Sequence, residues 1–362
     1  MDIKQLLNAK SKLILVILGI FILIFIIGII STIIYMNNYK NPSNTKLAEA
    51  GVVEKTIQVG EVKFNYAEGP DNGPPLLLLH AQMLDWYTYS EVLPELSKNF
   101  HVFAVDYPGH GKTTYPENYS MTADQIGSDL SNFIESVIQE PTFVTGNSSG
   151  GLLTTWLASN EPDLVKAIVI EDPPLFSSEY PAIKQTIAYK SFTTSHKAIQ
   201  EGYNGDFLLY WLENSKQFFN NNMGPLAEPL IEFAVKSYRN SNPGEPVEIA
   251  FLPSSVQEII RGLNYYDPSF GNAFYDGTWN ANFDHTEALK KIQSPALVLH
   301  ANYDILEDGT LNGAMTQDQA QKAASLIPNG EYLKVDSAHV VNLEHPDQFI
   351  KIIEEFFLEQ PE

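Results

Sequence analysis

Thr142-Phe143-Val144-Thr145-Gly146-Asn147-Ser148-Ser149-Gly150-Gly151 is the stretch on which the reading of this chain turns. Residues 142–145 form a β-type run, and residues 152–158 continue as a helix. Between them a serine sits at a tight strand-to-helix turn, where strained backbone angles demand small neighbours two residues away on either side. Ser148 meets that demand, flanked by Gly146 and Gly150. Ser149 does not, because Asn147 would occupy one of the glycine positions.

A serine hydroxyl is a poor nucleophile until a base removes its proton, so a histidine oriented by a carboxylate is expected elsewhere. Of the eight histidines, His339 is the best placed. It lies in Ser337-Ala338-His339, just after the last strand candidate, on a loop that could reach Ser148. His80 ends a buried strand, His110 sits between Gly109 and Gly111, and His345 precedes Pro346 at a helix start, so these read as structural. His101, His196 and His285 have no partner signature, and His300 closes a strand. For the carboxylate, Asp304 stands four residues past His300 and is the first choice. Asp308 on the same loop and Asp172 at the end of the preceding strand are the alternatives. Acyl transfer also needs two backbone N–H donors aimed at the developing oxyanion. Ser149, opening a helix, supplies one, and Gln82, in the turn after residues 76–79, the other.

Working outward, short β-type runs at residues 62–66, 75–80, 102–106, 142–145, 167–171, 296–300 and 332–335 alternate with helical patterns. That is the signature of an α/β architecture, a mostly parallel sheet covered by helices on both faces. Residues 76–79 and 168–170 are apolar at successive positions, as central strands buried on both faces require. Thr122-Ala123-Asp124-Gln125 reads as a capping-box helix start. Between about residues 175 and 290 the rhythm breaks into aromatic-rich helical stretches, read as a cap inserted before the acid-bearing strand. Its Phe207, Tyr210, Trp211, Phe218, Phe219, Tyr265, Tyr266, Phe270, Phe274, Tyr275 and Trp279 suggest an apolar substrate pocket, although many must hold the cap itself together.

Residues 13–36 form a nearly unbroken apolar run, with no charge between Lys12 and Lys40, long enough to span a bilayer as a helix. A cleaved signal peptide would be shorter and end in a small-x-small site, which residues 31–35 do not offer. Residues 1–12 are a short basic segment. Lys4, Lys10 and Lys12 precede the span and Lys40 and Lys46 follow it, which favours a cytoplasmic N-terminus and a body outside the cytoplasm. Residues 37–50 are polar and aperiodic, a linker, and residues 51–362 form the folded body. Net charge is −22, and residues 1–50 carry five lysines against Asp2 and Glu49, so the body is strongly acidic. Such a surface repels nucleic acid. The absence of cysteine removes disulfides and thiolate chemistry. No sequence feature signals an oligomeric state.

Four blocks together resemble the α/β-hydrolase superfamily, particularly its capped esterase, lactonase, haloperoxidase-like and C–C hydrolase branch. They are Leu79-His80-Ala81-Gln82, Asp106-Tyr107-Pro108-Gly109-His110-Gly111, the turn around Ser148, and Ser337-Ala338-His339. The resemblance covers about residues 51–362 and implies an α/β-hydrolase fold. The order Ser148, Asp304, His339 is the nucleophile, acid, histidine order of that family. Ala81 departs from it by standing where glycine is usual, and residues 305–319 form an unusually long segment after the acid, a lid or specificity loop. The expected activity is hydrolysis of an ester, lactone or related acyl bond in a small, apolar molecule, with no metal or cofactor required. C–C hydrolysis or perhydrolysis on the same triad, or ligand binding without turnover by a surface receptor, are the alternatives.

Overall fold

The computed structural model describes residues 3–216, 219 and 223–360. Ten strands lie among them: β1 (Val53–Val59), β2 (Val62–Glu68), β3 (Pro75–Leu79), β4 (His101–Asp106), β5 (Thr142–Asn147), β6 (Val165–Glu171), β7 (Ala296–His300), β8 (Asp304–Ile305), β9 (Leu311–Asn312) and β10 (Gly330–Lys334). Eight form one sheet in the order β1-β2-β4-β3-β5-β6-β7-β10, and β8 pairs with β9 as a separate ribbon. The pairs β1–β2 and β2–β4 are antiparallel, and every pair from β4 to β10 is parallel. This is the α/β-hydrolase fold, as expected.

Successive residues of the central strands point to opposite faces, and each face has its own apolar core. Leu77, Leu79, Val144, Ile168, Ile170 and Val298 pack on one side, beneath the cap and the helices Ala123–Phe133 and Ser149–Asn160. Leu76, Leu78, Phe143, Val169, Leu297 and Leu299 pack on the other, beneath the helix Pro346–Leu358. Burial on both sides explains why these strands are apolar throughout.

β1 escapes a sequence reading because its residues are mostly exposed, with charged side chains at Glu54 and Lys55. The helix at Thr122 starts as expected, with the Thr122 side chain accepting from Gln125 N. The reciprocal half of a capping box is replaced: Gln125 Nε2 donates to Asp129 instead.

Between β6 and β7 the chain builds the cap from helices that include Ile187–Gln200, Phe207–Asn214, Ala227–Ser241, Ser254–Leu263 and Pro268–Asp276. At the N-terminus a helix covers Ile3–Asn37, and its part Ile20–Asn37 is long and apolar enough to cross a membrane. The expected aperiodic linker is partly a helix, Ser43–Glu49, with Ser43 and Leu47 buried. Lys46 pairs with Glu91, and Tyr87 donates its hydroxyl hydrogen to Asn44, so this segment packs on the body instead of hanging free.

Candidate active site

β5 ends on the Ser148 turn because its two glycines leave room that no side chain could share. A Cβ on Gly146 would fall 2.3 Å from the Gly150 carbonyl oxygen, and one on Gly150 only 2.1 Å from that of Leu79. The turn closes tightly onto the neighbouring strand β3, and Ser148 itself is held at φ 55°, a left-handed angle unusual for a residue with a side chain. Its amide donates to the Glu171 carbonyl of β6 at 2.9 Å.

Ser148, Ser149, Gln82 and His339 line one cavity of about 200 Å³. The structure thus brings four of the five expected site residues to one place. Ser149 is the first residue of the helix Ser149–Asn160, so its N–H has no carbonyl partner within that helix. Gln82 is fixed from above, where its side-chain amide donates to the Tyr266 hydroxyl of the cap at 2.8 Å. Ala81 is accommodated without a left-handed angle, because the positive φ of this turn falls on Met83.

Asp304 is the correction. It was expected to orient His339, yet His339 Nδ1 lies 2.7 Å from Asp172 Oδ2. Asp304 is exposed on the short β8, and its carboxylate accepts from the next backbone amide, that of Ile305. Asp308 is exposed as well and faces Lys190 at 3.4 Å. The reason lies in strand order. β6 is the direct neighbour of β5, and Asn147 pairs with Glu171, so the residue after Glu171 comes alongside Ser148. β7 lies one strand further out. Its following loop contributes a backbone donor in place of a carboxylate: Ala301 N donates to Asp172 Oδ1 at 3.1 Å. With both oxygens engaged, the buried Asp172 carboxylate is held rigidly. A signal was present in the sequence, since two carboxylates end the wholly apolar strand core at residues 167–170, and charges in such a place need partners.

Glu171 and Asn147 complete the support and were not singled out from the sequence. Glu171 Oε1 accepts from Val341 N at 2.6 Å, just beyond the histidine loop. Burial pushes its carboxyl up to about 8, against the pull of that amide. Asn147 Nδ2 donates to the His339 carbonyl at 2.8 Å, tying the serine turn to the histidine loop. His339 is half-buried. Burial disfavours its imidazolium, but the hydrogen bond and charge of Asp172 outweigh this and raise its pKa above the ordinary histidine value.

The remaining histidines pack or bond structurally. His80 stacks on Tyr107 with ring centroids 4.5 Å apart, and burial pulls its pKa down to about 4. His110 is buried beside it. His285 accepts from Phe176 N, His300 bonds Tyr332 and Met315, and His196 bonds Asn272.

The cavity wall is largely apolar, with Ile183, Ile187, Ala188, Phe192, Phe274 and Ala314. Of the expected cap aromatics among the described residues, only Phe274 reaches it. Phe274 stacks on Trp279, and Phe270 packs tilted against both, which holds the cap together; Phe218 lies outside the described residues. The long segment after Asp304 folds into the β8–β9 ribbon, and Asn312, Gly313 and Ala314 bring it to the cavity wall.

Comparison with known proteins agrees with this fold. The model of a family described as alpha/beta hydrolase fold matches residues 74–346. The (E)-2-((N-methylformamido)methylene)succinate hydrolase of Acinetobacter baylyi is 30% identical over 129 residues, 33% of this chain and 45% of that relative's length. The pimeloyl-[acyl-carrier protein] methyl ester esterase of Legionella pneumophila is 24% identical, over 78% of this chain and 95% of its own. Among solved structures, a putative lipase from Acinetobacter baumannii superposes with a TM-score of 0.61 at 20% identity, covering 89% of this chain and 97% of its own.

Proposed function

The chain belongs to the alpha/beta hydrolase fold family, and on that premise we propose that it is a membrane-anchored serine hydrolase cleaving a carboxylic ester, lactone or related acyl bond through an acyl-enzyme on Ser148. The observation that carries the reading is the pairing of His339 Nδ1 with Asp172 at 2.7 Å beside a serine held at φ 55° in the same cavity. In this reading Ser148 Oγ attacks the acyl carbon while His339 Nε2 takes its proton. Asp172 holds the opposite ring nitrogen as a donor and stabilises the imidazolium. The amides of Gln82 and Ser149 receive the charge that develops on the carbonyl oxygen. His339 then returns the proton to the leaving alcohol. Water, deprotonated by the same histidine, releases the acid and restores the Ser148 hydroxyl.

The apolar wall suits an apolar acyl group, and esterases among the relatives agree with an oxygen ester. The helix Ile3–Asn37 is the anchor of this reading, supported by its length, its composition and the absence of burial over Ile20–Asn37. The body then lies outside the cytoplasm.

A fluorophosphonate probe applied to the full chain tests the chemistry. Covalent labelling of the wild type, lost in Ser148→Ala, is the expected result. A folded wild type that remains unlabelled would overturn the proposal.

A further inference from the structure

The N-terminal helix ends directly against the cap. Ser237 Oγ donates to Asn37 Oδ1 at 3.1 Å, and Asn242 Nδ2 donates to the Asn37 carbonyl at 2.9 Å. Both donors stand at the C-terminal end of the cap helix Ala227–Ser241. Going back along the helix from Ser237, the residues on the same side are Phe233, Leu230 and Leu226. Their spacing of four, three and four keeps all four positions within an arc of about 60°.

These three apolar side chains are bare: Leu226 is 67%, Leu230 57% and Phe233 54% exposed. The helix already has a buried face in Ile231, Ala234, Val235 and Tyr238. It therefore carries two apolar faces, one inside the cap and one facing outward, which leads to the point where the N-terminal helix ends. Single exposed leucines are ordinary, but a continuous row marks a contact surface.

We propose that Leu226, Leu230 and Phe233 rest in the headgroup–acyl boundary of the bilayer that the N-terminal helix crosses, making the cap a membrane-contact surface. The occupant is assigned by continuity: a row beginning at the end of a membrane-spanning helix starts at the depth where that helix leaves the hydrocarbon. Apolar side chains on an amphipathic helix at that depth bury into the acyl boundary. The proposal rests on reading the N-terminal helix as a span, and the experiment separates the two.

The chain has no cysteine, so single cysteines report without background. Leu230→Cys and Phe233→Cys are carried separately on the full chain, labelled with a nitrobenzoxadiazole fluorophore and reconstituted into phosphatidylcholine vesicles without spin-labelled lipid, or with lipid spin-labelled either near the headgroup (shallow) or at the acyl terminus (deep). Ile26→Cys reports on the span, and Glu331→Cys on an exposed position of β10. Emission at positions 230 and 233 should be lost to the shallow spin-labelled lipid more than to the deep one, as an interfacial depth requires, while that at 331 stays unchanged with either. Labels at 230 and 233 behaving like 331 while 26 is quenched would overturn the contact surface and leave the span standing. A label at 26 that the deep spin-labelled lipid leaves unquenched would overturn the span itself and the proposal with it. Short bismaleimide cross-links between copies at 230, without lipid quenching, would give the face to a second copy and also overturn it.

Discussion

Asp172 and Asp304 differ in surroundings more than in chemistry. Asp172 is buried and held by Ala301 N and His339 Nδ1, whereas Asp304 is exposed beside a turn amide. Asp172→Asn should lower kcat by about 10³–10⁴-fold, the cost of losing the histidine's orientation. Asp304→Asn should leave kcat within about twofold. The pH profile gives a second readout. In the proposed mechanism activity requires neutral His339, so it should rise with pH through a pKa held above the ordinary value by Asp172. In Asp172→Asn the hydrogen bond weakens and the charge is gone, so the residual activity should begin to rise at lower pH. Equal losses in the two variants, or an unmoved acidic limb, would contradict the assignment of Asp172.

At the scale of elements, the cap helix Ser254–Leu263 presses on the turn that carries Gln82. A Cβ on Gly262 would sit 2.1 Å from the Met83 carbonyl oxygen, a distance no side chain can share with backbone. Next to it, Arg261 reaches Asp85 at 3.2 Å and Glu248 at 3.3 Å, joining the cap to the same turn. Gly262→Ala should force the helix off the turn, destabilise the fold by about 1–3 kcal/mol and reduce kcat through a displaced Gln82 amide. Chemical denaturation and steady-state kinetics on the one variant check both, and unchanged kinetics would show that the turn holds its shape without the cap.

Over the whole molecule, stability should depend on pH through buried acids. Burial is the largest cause raising Asp106 to about 7 and both Glu171 and Glu258 to about 8. Each folded pKa lies above its unfolded value, so the folded state holds these protons longer. Their contribution is complete below the unfolded carboxyl values, 3.8 for Asp106 and 4.5 for the glutamates, and is lost as pH rises through about 7 to 8. His80 and His285, pulled down to about 4 and about 3 by burial, work in the opposite sense: they favour folding above the unfolded value of 6.5 and lose that contribution as pH falls through about 4 and about 3. Between the histidine value and about 8 the acids act together with His339, whose raised pKa works in the same sense, so the unfolding midpoint should fall with rising pH. Glu171→Gln keeps the oxygen that accepts from Val341 N and removes the ionisation, so the fall should be shallower. A slope identical to the wild type would show that Glu171 does not titrate there.

Local rules acting over a few residues were legible in the sequence. Gly146 and Gly150 mark the turn because no Cβ fits there, and the apolar runs mark central strands because both faces are covered. The positions of Ser148, Ser149, Gln82 and His339 at strand ends follow from the same local signals, and the apolar stretch announces the N-terminal helix. Which carboxylate meets His339 is a different kind of fact. It depends on β6, not β7, lying beside β5, and on the register that sets Asn147 against Glu171. Strand neighbours and register come from long-range pairing, which spacing along the chain does not encode. The same holds for the docking of Ser43–Glu49, whose polar residues look like a free tether until Glu91 and Tyr87 are placed beside them. Local sterics and hydrophobic periodicity therefore determine the turns and strands from the sequence, while the carboxylate partner of His339 is decided by which strands lie side by side.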